Sequence, residues 1–276
     1  MDRYPIRITH PSPDIAWQEL WRYRDLIWLL TRRSILVQYK QTVLGPVWIV
    51  LRPLLSACAY AFVFGGIGGI STGGVPKLLF YLCGSGIWGF FAELVSKNAT
   101  VFSDNAPLFG KVYFPRLAVP VAYLFTALVQ LLVQLIPMGI LLGYHGFRGQ
   151  VLPNWASWLL LPGAVAQLGI LGLGVGLLIS ALTAKYRDLR ILVQFGMQLW
   201  MYATPVVYPL AAAGNLGQLL WWNPVTAPME LIRFALLGSG TVDGKTYGLS
   251  LLLTAAVAIL GMAAFSRAEG TFVDTI

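Results

Sequence analysis

Apolar residues run in long uninterrupted stretches along this chain, without the short alternations of a water-facing fold. Six stretches reach the length of a bilayer crossing: about 47–67, 78–98, 118–143, 157–183, 190–208 and 248–266. A hydrocarbon core about 30 Å thick takes about 20 apolar residues of helix per crossing, so each stretch predicts a transmembrane helix. Segment 209–247 is also apolar, but Pro209, Gly214, Gly217, Pro224, Pro228, Gly238 and Gly240 interrupt it. Two short re-entrant helices near one membrane face suit it better than one span, provided protein or a cavity shields the broken backbone. Ahead of the first stretch, residues 14–30 mix Trp17, Leu20, Trp21 and Trp28 with Glu19, Arg22, Arg24 and Asp25. That mixture predicts an amphipathic helix lying in the membrane interface. The other reading extends the first span backwards, but Arg32, Arg33 and Lys40 would then sit in lipid at high cost. The expected fold is an all-α integral membrane protein with six transmembrane helices, an N-terminal interface helix and two re-entrant helices before the last span. Residues 1–46 form the N-terminal segment, and residues 47–276 form one transmembrane domain.

Composition excludes the soluble alternatives. Of 276 residues 57% are hydrophobic and 11% charged, with mean hydropathy +0.71. Soluble domains carry about 25% charged residues, so too little charge is present here to cover a water-facing surface. The net charge of +8 raises nucleic acid as a partner, but the basic residues cluster beside apolar stretches and no nucleic-acid motif accompanies them. Positive-inside topology explains them instead. With the N-terminus in the cytoplasm, fifteen of the 19 Lys and Arg fall inside, and Lys77, Arg148, Arg233 and Lys245 fall outside. Both termini are therefore expected in the cytoplasm. Residues 1–25 lack the basic tip and apolar run of a cleavable signal. Cys58 and Cys83 lie within apolar stretches and read as small packing residues.

Polar residues recur at helical spacing inside several spans. Glu93, Lys97, Thr100 and Asp104 share one face of the second, Thr126, Gln130 and Gln134 one face of the third, and Gln194, Gln198 and Tyr202 one face of the fifth. Unpaired amides in hydrocarbon are costly, so the stripes face other helices or a wet path. For the third and fifth spans, interhelical hydrogen bonding and a translocation path fit equally. For the second, an interfacial ion pair is the expectation. Arg52 lies inside the first span, where it either snorkels to headgroups or faces a cavity and meets an anionic group. The chain holds 14 Phe, 12 Tyr and 10 Trp. Interface belts account for many of these, Trp221 and Trp222 among them, and aromatic faces also suit sugar C–H groups.

Several motifs imitate chemistry. Ser239–Thr246, SGTVDGKT, nearly spells a phosphate-binding loop, but Ser stands where the first Gly belongs and no strand precedes it. Gly84, Gly86 and Gly89 match GxGxxG inside an apolar span, where close helix packing is the expected cause. His10 and His145 have no metal-ligand spacing, and no Ser-His-Asp set is present. No ATP chemistry is expected in this chain, so its energy must come from a partner or a gradient.

Further landmarks run in order along the chain. Arg32-Arg33, Tyr39-Lys40 and Leu44-Gly45-Pro46-Val47-Trp48 precede the first span, and Lys111-Val-Tyr-Phe-Pro-Arg116 follows the second. Tyr186-Arg-Asp188 follows the fourth, then come Thr204-Pro-Val-Val-Tyr-Pro209, Asn223-Pro224 with Glu230 and Arg233, and Arg267-Ala-Glu-Gly-Thr-Phe272. In their order and spacing these resemble the permease subunits of polysaccharide-exporting ABC transporters, the Wzm type that exports O antigen, with capsule and teichoic-acid exporters as relatives. The sequence departs from that pattern at Gly110 and in a less basic tail at Ser266-Arg267-Ala268.

The resemblance implies a homodimer in the bacterial inner membrane, bound to two cytoplasmic ABC ATPase subunits that hold ATP and Mg. No cofactor or metal belongs to this chain, and it is not itself an enzyme. The implied substrate is a polysaccharide on undecaprenyl diphosphate. Arg32, Arg33, Lys40 and Arg52 are then candidates to receive the diphosphate, although attraction to anionic lipid headgroups accounts equally well for the first two. Tyr39, Trp48, Gln130, Gln134, Gln194, Gln198 and Tyr202 are candidates to line the glycan path. Asn105, Lys111, Tyr113, Phe114, Pro115 and Arg116, with Tyr186, Arg187 and Asp188, are candidates for coupling to the ATPase. Tyr208, Asn223, Glu230 and Arg233 are candidates for an outer gate. The rivals are an ABC permease for a small drug or lipid, an ion-coupled secondary transporter and a membrane-embedded enzyme. Acidic residues separate the last two from the rest. Glu93 alone lies within a span, and Asp104, Asp188, Asp243 and Asp274 scatter over different loops.

Overall fold

The computed structural model describes residues 17–40, 42–110, 114–186 and 188–273, and the described residues are helical or irregular with no strand. Helices α1 (Trp17–Arg22) and α2 (Arg24–Tyr39) come first. Trp21 is 71% exposed and Trp28 65%, as an interface helix requires. The chain then leaves helical geometry at Lys40, turns at Gly45, whose φ is 53°, and starts a new helix. The N-terminal helix is therefore separate from the first span, and it packs along α7.

Five helical runs are long and apolar enough to cross a membrane: Gly45–Ile67, Lys77–Ala99, Ala118–Phe147, Trp155–Thr183 and Gly244–Gly270. The first is a 3₁₀ turn, then α3 (Trp48–Tyr60), then a π-helical turn, Ala61–Ile67. A π turn disturbs the carbonyl ladder, and Lys77 Nζ donates to the Gly65 carbonyl there at 2.5 Å. The next three runs contain α4 (Lys77–Ala99), α7 (Ala118–Phe147) and α8 (Leu161–Thr183). Short helices α5 (Val101–Asp104) and α6 (Ala106–Phe109) lie between α4 and α7. The last run belongs to α12 (Gly244–Val273).

The expected span over 190–208 forms differently. Helix α9 (Leu189–Tyr202) has 14 residues and stops at Ala203, short of the roughly 20 residues that cross a hydrocarbon core. The backbone from Ala203 to Tyr208 is turned, because the Thr204-Pro205 step cannot continue a helix: proline lacks the N–H and restricts the residue before it. The interrupted segment that follows resolves into a 3₁₀ turn at Leu210–Leu216, α10 (Gly217–Leu220) and α11 (Thr226–Leu237). It is therefore a series of short helices, as its Pro and Gly content predicts.

Helix α4 is the hub. It packs against α3, α7, α8, α9 and α11, and 72% of its apolar stretch is buried, against 11% for the first run. Helix α8 lies between α4 and α12. Glycines permit these close crossings. A Cβ on Gly176 would lie 2.5 Å from Asn98 Cβ, one on Gly174 would lie 2.8 Å from Ala258 Cα, and one on Gly261 would overlap the Gly174 carbonyl. Small residues at such points let backbones approach, and dispersion then holds helices that no hydrophobic effect drives together in lipid.

Gly84 shows the same logic at the hub. A Cβ there would sit 2.5 Å from the Val206 carbonyl oxygen and 2.9 Å from Arg233 Nη2. Gly89, five residues further on and on another face of α4, has nothing within 4 Å of a Cβ. Gly84→Val should therefore destabilise the bundle by about 1–3 kcal/mol through overpacking, and Gly89→Ala should not. Thermal melts of the two purified variants in detergent check this: the first should fall by several degrees, the second should match or exceed the parent.

Candidate functional site

A polar cavity of about 440 Å³ lies among α2, α3, α4 and α7. Gln38 and Tyr39 come from α2; Trp48, Arg52, Ser56 and Tyr60 from α3; Ser85, Trp88, Gly89, Glu93 and Lys97 from α4; and Gln130 and Gln134 from α7. Helical spacing puts each set on one face: Arg52, Ser56 and Tyr60 are four apart on α3, as are Gln130 and Gln134 on α7. The cavity thus gathers Tyr39, Trp48, Arg52, Gln130 and Gln134, five residues expected from sequence to meet the substrate.

Hydrogen bonding in the cavity centres on Gln130, which is 4% exposed. Its amide lies 3.0 Å from the Gln38 amide, 3.4 Å from the Tyr39 hydroxyl and against the Glu93 carboxylate. The amide orientation that meets these needs turns the nitrogen to Glu93, 3.1 Å from Oε1, and the oxygen to Gln38. Glu93 therefore serves the cavity rather than an ion pair at its own helix end, which is where the sequence alone had placed it. Burial raises the Tyr39 phenol above its ordinary value, Glu93 adds to the rise and Arg52 opposes it, so Tyr39 remains a neutral hydroxyl.

The other candidates fall elsewhere. Arg32, Arg33 and Lys40 are exposed on α2 and do not line the cavity. Gln194 and Gln198 are exposed on α9, and Tyr202 is 45% exposed, so this stripe does not line the cavity.

The two candidate coupling segments are joined. Arg190 at the start of α9 makes an ion pair with Asp104 and donates to Ser103 Oγ at 2.9 Å. Asn105 Nδ2 donates to the Val101 carbonyl and to the Tyr123 hydroxyl, both at 2.9 Å. Arg116 donates to the Glu269 carbonyl at 2.9 Å and lies over the Phe109 ring, tying the segment to the end of α12. Phe114 is buried, Pro115 is half-buried, and Tyr186 and Asp188 are exposed. Lys111, Tyr113 and Arg187 lie outside the described residues. Sequence reasoning missed Arg190–Asp104 and Arg116–Glu269, since ion pairs between residues 86 and 153 positions apart leave no periodic signal.

The four candidate gate residues also gather. Glu230 and Arg233 on α11 are 2% and 1% exposed and make an ion pair at 3.0 Å. Arg233 Nη2 donates to the Val206 carbonyl at 2.7 Å, Nη1 lies 3.5 Å from the Tyr208 carbonyl, and the guanidinium stacks 4.3 Å from the Phe80 ring centroid. Glu230 Oε2 accepts from Thr241 N at 3.0 Å. Asn223 closes the other end, donating to Thr204 Oγ1 at 2.8 Å and the Ala203 carbonyl at 3.1 Å, while Trp200 donates to its Oδ1.

A bundle of helices able to cross a membrane, arranged around a polar cavity, is the architecture of a membrane permease. Residues 25–237 match the family model described as ABC-2 type transporter, and the chain belongs to that family. It is similar to two O-antigen export system permease proteins RfbA of Klebsiella pneumoniae, each 25% identical over 254 residues, which cover 91% of this chain and 95% of the relative. It is also similar to the O-antigen export system permease protein RfbA of Myxococcus xanthus, 30% identical over 197 residues, 70% of this chain and 72% of the relative.

Removing one member of a buried ion pair strands the other, at a cost of about 3–5 kcal/mol, whereas replacing both with apolar residues is tolerated far better. Glu230→Leu alone should therefore collapse the yield of folded permease in detergent, and Glu230→Leu combined with Arg233→Met should recover much of it. Size-exclusion profiles of the two variants check the difference.

Proposed function

We propose that this chain is the transmembrane subunit of an ATP-driven exporter that moves lipid-linked polysaccharide of the O-antigen type from the cytoplasm across a bacterial inner membrane. The reading is carried by the polar cavity, where a cation, a carboxylate, amides and aromatic rings meet inside a lipid-facing bundle. Such side chains are costly in hydrocarbon unless they serve a path. Similarity to O-antigen export permeases over most of the chain supports the substrate class. An ion-coupled carrier fits less well, because Glu93 is the cavity's single carboxylate.

In this reading two copies form the permease, and two ATPase subunits binding ATP and Mg drive it from the cytoplasm. Both termini are cytoplasmic, in keeping with the Lys and Arg distribution. The chain crosses six times, with α9 and the turned backbone after it making the fifth crossing; α10 and α11 are the re-entrant pair, and residues 47–276 form one permease domain. The exposed stripe Gln194, Gln198 and Tyr202 faces the path between the two copies. Asn105–Arg116 and Tyr186–Asp188 dock on the ATPase, and the Asp104–Arg190 pair makes them move as one body. Tyr208, Asn223, Glu230 and Arg233 hold the outer end of the path. Arg52 receives the diphosphate of an undecaprenyl carrier from the inner leaflet, and Arg32, Arg33 and Lys40 attract it there. A guanidinium pairs with phosphate oxygens by two parallel hydrogen bonds.

In cells whose own copy is deleted, Arg52→Ala should insert normally but cut surface polysaccharide at least about tenfold, the equivalent of one charge-assisted hydrogen bond. Staining of intact and permeabilised cells with a glycan-specific antibody checks it. Normal surface staining would remove Arg52 from the mechanism.

A further inference from the structure

One polar group in the cavity is unused by a reading based on diphosphate alone. Glu93 projects from α4 into the cavity, with its carboxylate hydrogen-bonded by the Gln130 amide, while Lys97 and Arg52 act on it at longer range. Gln134 Oε1 lines the same space, buried and with no hydrogen-bond partner among the described residues. The Gln134 oxygen is an acceptor without a donor, and the Glu93 carboxylate keeps lone pairs beyond its Gln130 bond, so both can take donors from whatever fills the cavity. A phosphate group at neutral pH offers acceptors only, and like charge repels it from Glu93. Hydroxyl groups supply the missing donors.

The remaining walls match that chemistry. Trp48, Tyr39 and Tyr60 line the α2–α3 side, and Trp88 lines α4. The negative face of an aromatic ring accepts polarised C–H groups, such as those on the flat side of a pyranose. Gly89 leaves open room beside Trp88, since nothing lies within 4 Å of a Cβ built there. The volume of about 440 Å³ lies in the range of about 300–1,000 Å³ typical of small-molecule sites.

We propose that Glu93, Gln130 and Gln134 form a subsite for a neutral, hydroxyl-rich sugar ring, adjoining the anionic group that Arg52 receives. This rests on the export function proposed above and adds a selectivity to it. Glu93 and Gln134 accept hydroxyl hydrogen bonds, Gln130 holds the Glu93 carboxylate in place, and Glu93 disfavours an acidic sugar at this position.

The test is equilibrium binding to the permease reconstituted with its ATPase in lipid nanodiscs. Two probes are compared, farnesyl diphosphate and farnesyl diphosphate carrying one neutral hexose. In the parent protein the hexose should raise affinity at least about tenfold, the equivalent of one charge-assisted hydrogen bond. Glu93→Ala should abolish that increment while farnesyl diphosphate still binds, at least as tightly as to the parent, because the repulsion from the carboxylate is gone. Gly89→Leu, whose Cβ has nothing within 4 Å and whose side chain takes up the open room, should likewise abolish the increment while farnesyl diphosphate still binds. If Glu93→Ala fails to fold, Gly89→Leu carries the test alone. An increment that survives in the variants, or is missing in the parent, overturns the sugar subsite and leaves the diphosphate site of Arg52 standing. No binding of either probe to the parent overturns both.

Discussion

The buried pair of Glu230 and Arg233 is the constraint on which the irregular half of this bundle depends. Non-helical backbone inside an apolar bundle must have its polar groups satisfied by protein. Thr204, Val206 and Val207 are almost wholly buried in turned backbone after α9. Arg233 supplies donors to the carbonyls of Val206 and Tyr208, and Asn223 supplies one to Ala203. Glu230 balances the guanidinium charge and accepts from Thr241, so a single pair joins the turn after α9, helix α11 and the approach to α12. Phe80 and Gly84 on α4 complete the site, one by stacking and the other by being absent as a side chain.

The rest of the architecture follows from how closely helices approach α4. Glycines on α8 bring that helix onto α4 and α12. On the opposite side α4 meets α3 and α7 across larger and more polar side chains, and a cavity remains there. One face of the hub is thus packed shut and the other is held open by Gln130, Glu93 and the aromatic walls. A rigid connection then runs from α4 through α5 and Asp104 to Arg190 at the start of α9. Both helices so joined border the cavity, since Met201 of α9 also lines it.

Much of this was legible in the residues. Long apolar runs located, to within a few residues, the five described helices that are long and apolar enough to cross a membrane, because hydropathy averaged over about 20 positions is a strong signal. The Gln130–Gln134 stripe read equally as interhelical bonding or a path, and Arg52 as a snorkelling or cavity-facing cation; the structure puts all three on one cavity. The end of α9 was not legible, since Pro205 stops the helix inside an otherwise apolar run. Arg233 read as a loop charge in the topology count, yet it is 1% exposed, because its partner Glu230 sits one helical turn away within α11. Glu93 resembled an interfacial ion-pair member because Lys97 is four residues away, and only the packing of α7 against α4 shows that Gln130 binds it. Gln194 and Gln198 look outward from the single chain, so their role depends on what lies beyond it.

The central claim is that exported glycan passes through the cavity among α2, α3, α4 and α7. Photocrosslinking tests it directly, in cells that make the polysaccharide and carry an ATP-hydrolysis-deficient partner to stall transport. A photoreactive phenylalanine derivative replaces Ser56 on the cavity wall, or Ile140 on the exposed side of α7 as control. The account predicts that irradiation attaches glycan to the permease at position 56 and leaves position 140 unmodified. Labelling at 140 with none at 56 would place the glycan outside this cavity and contradict the account.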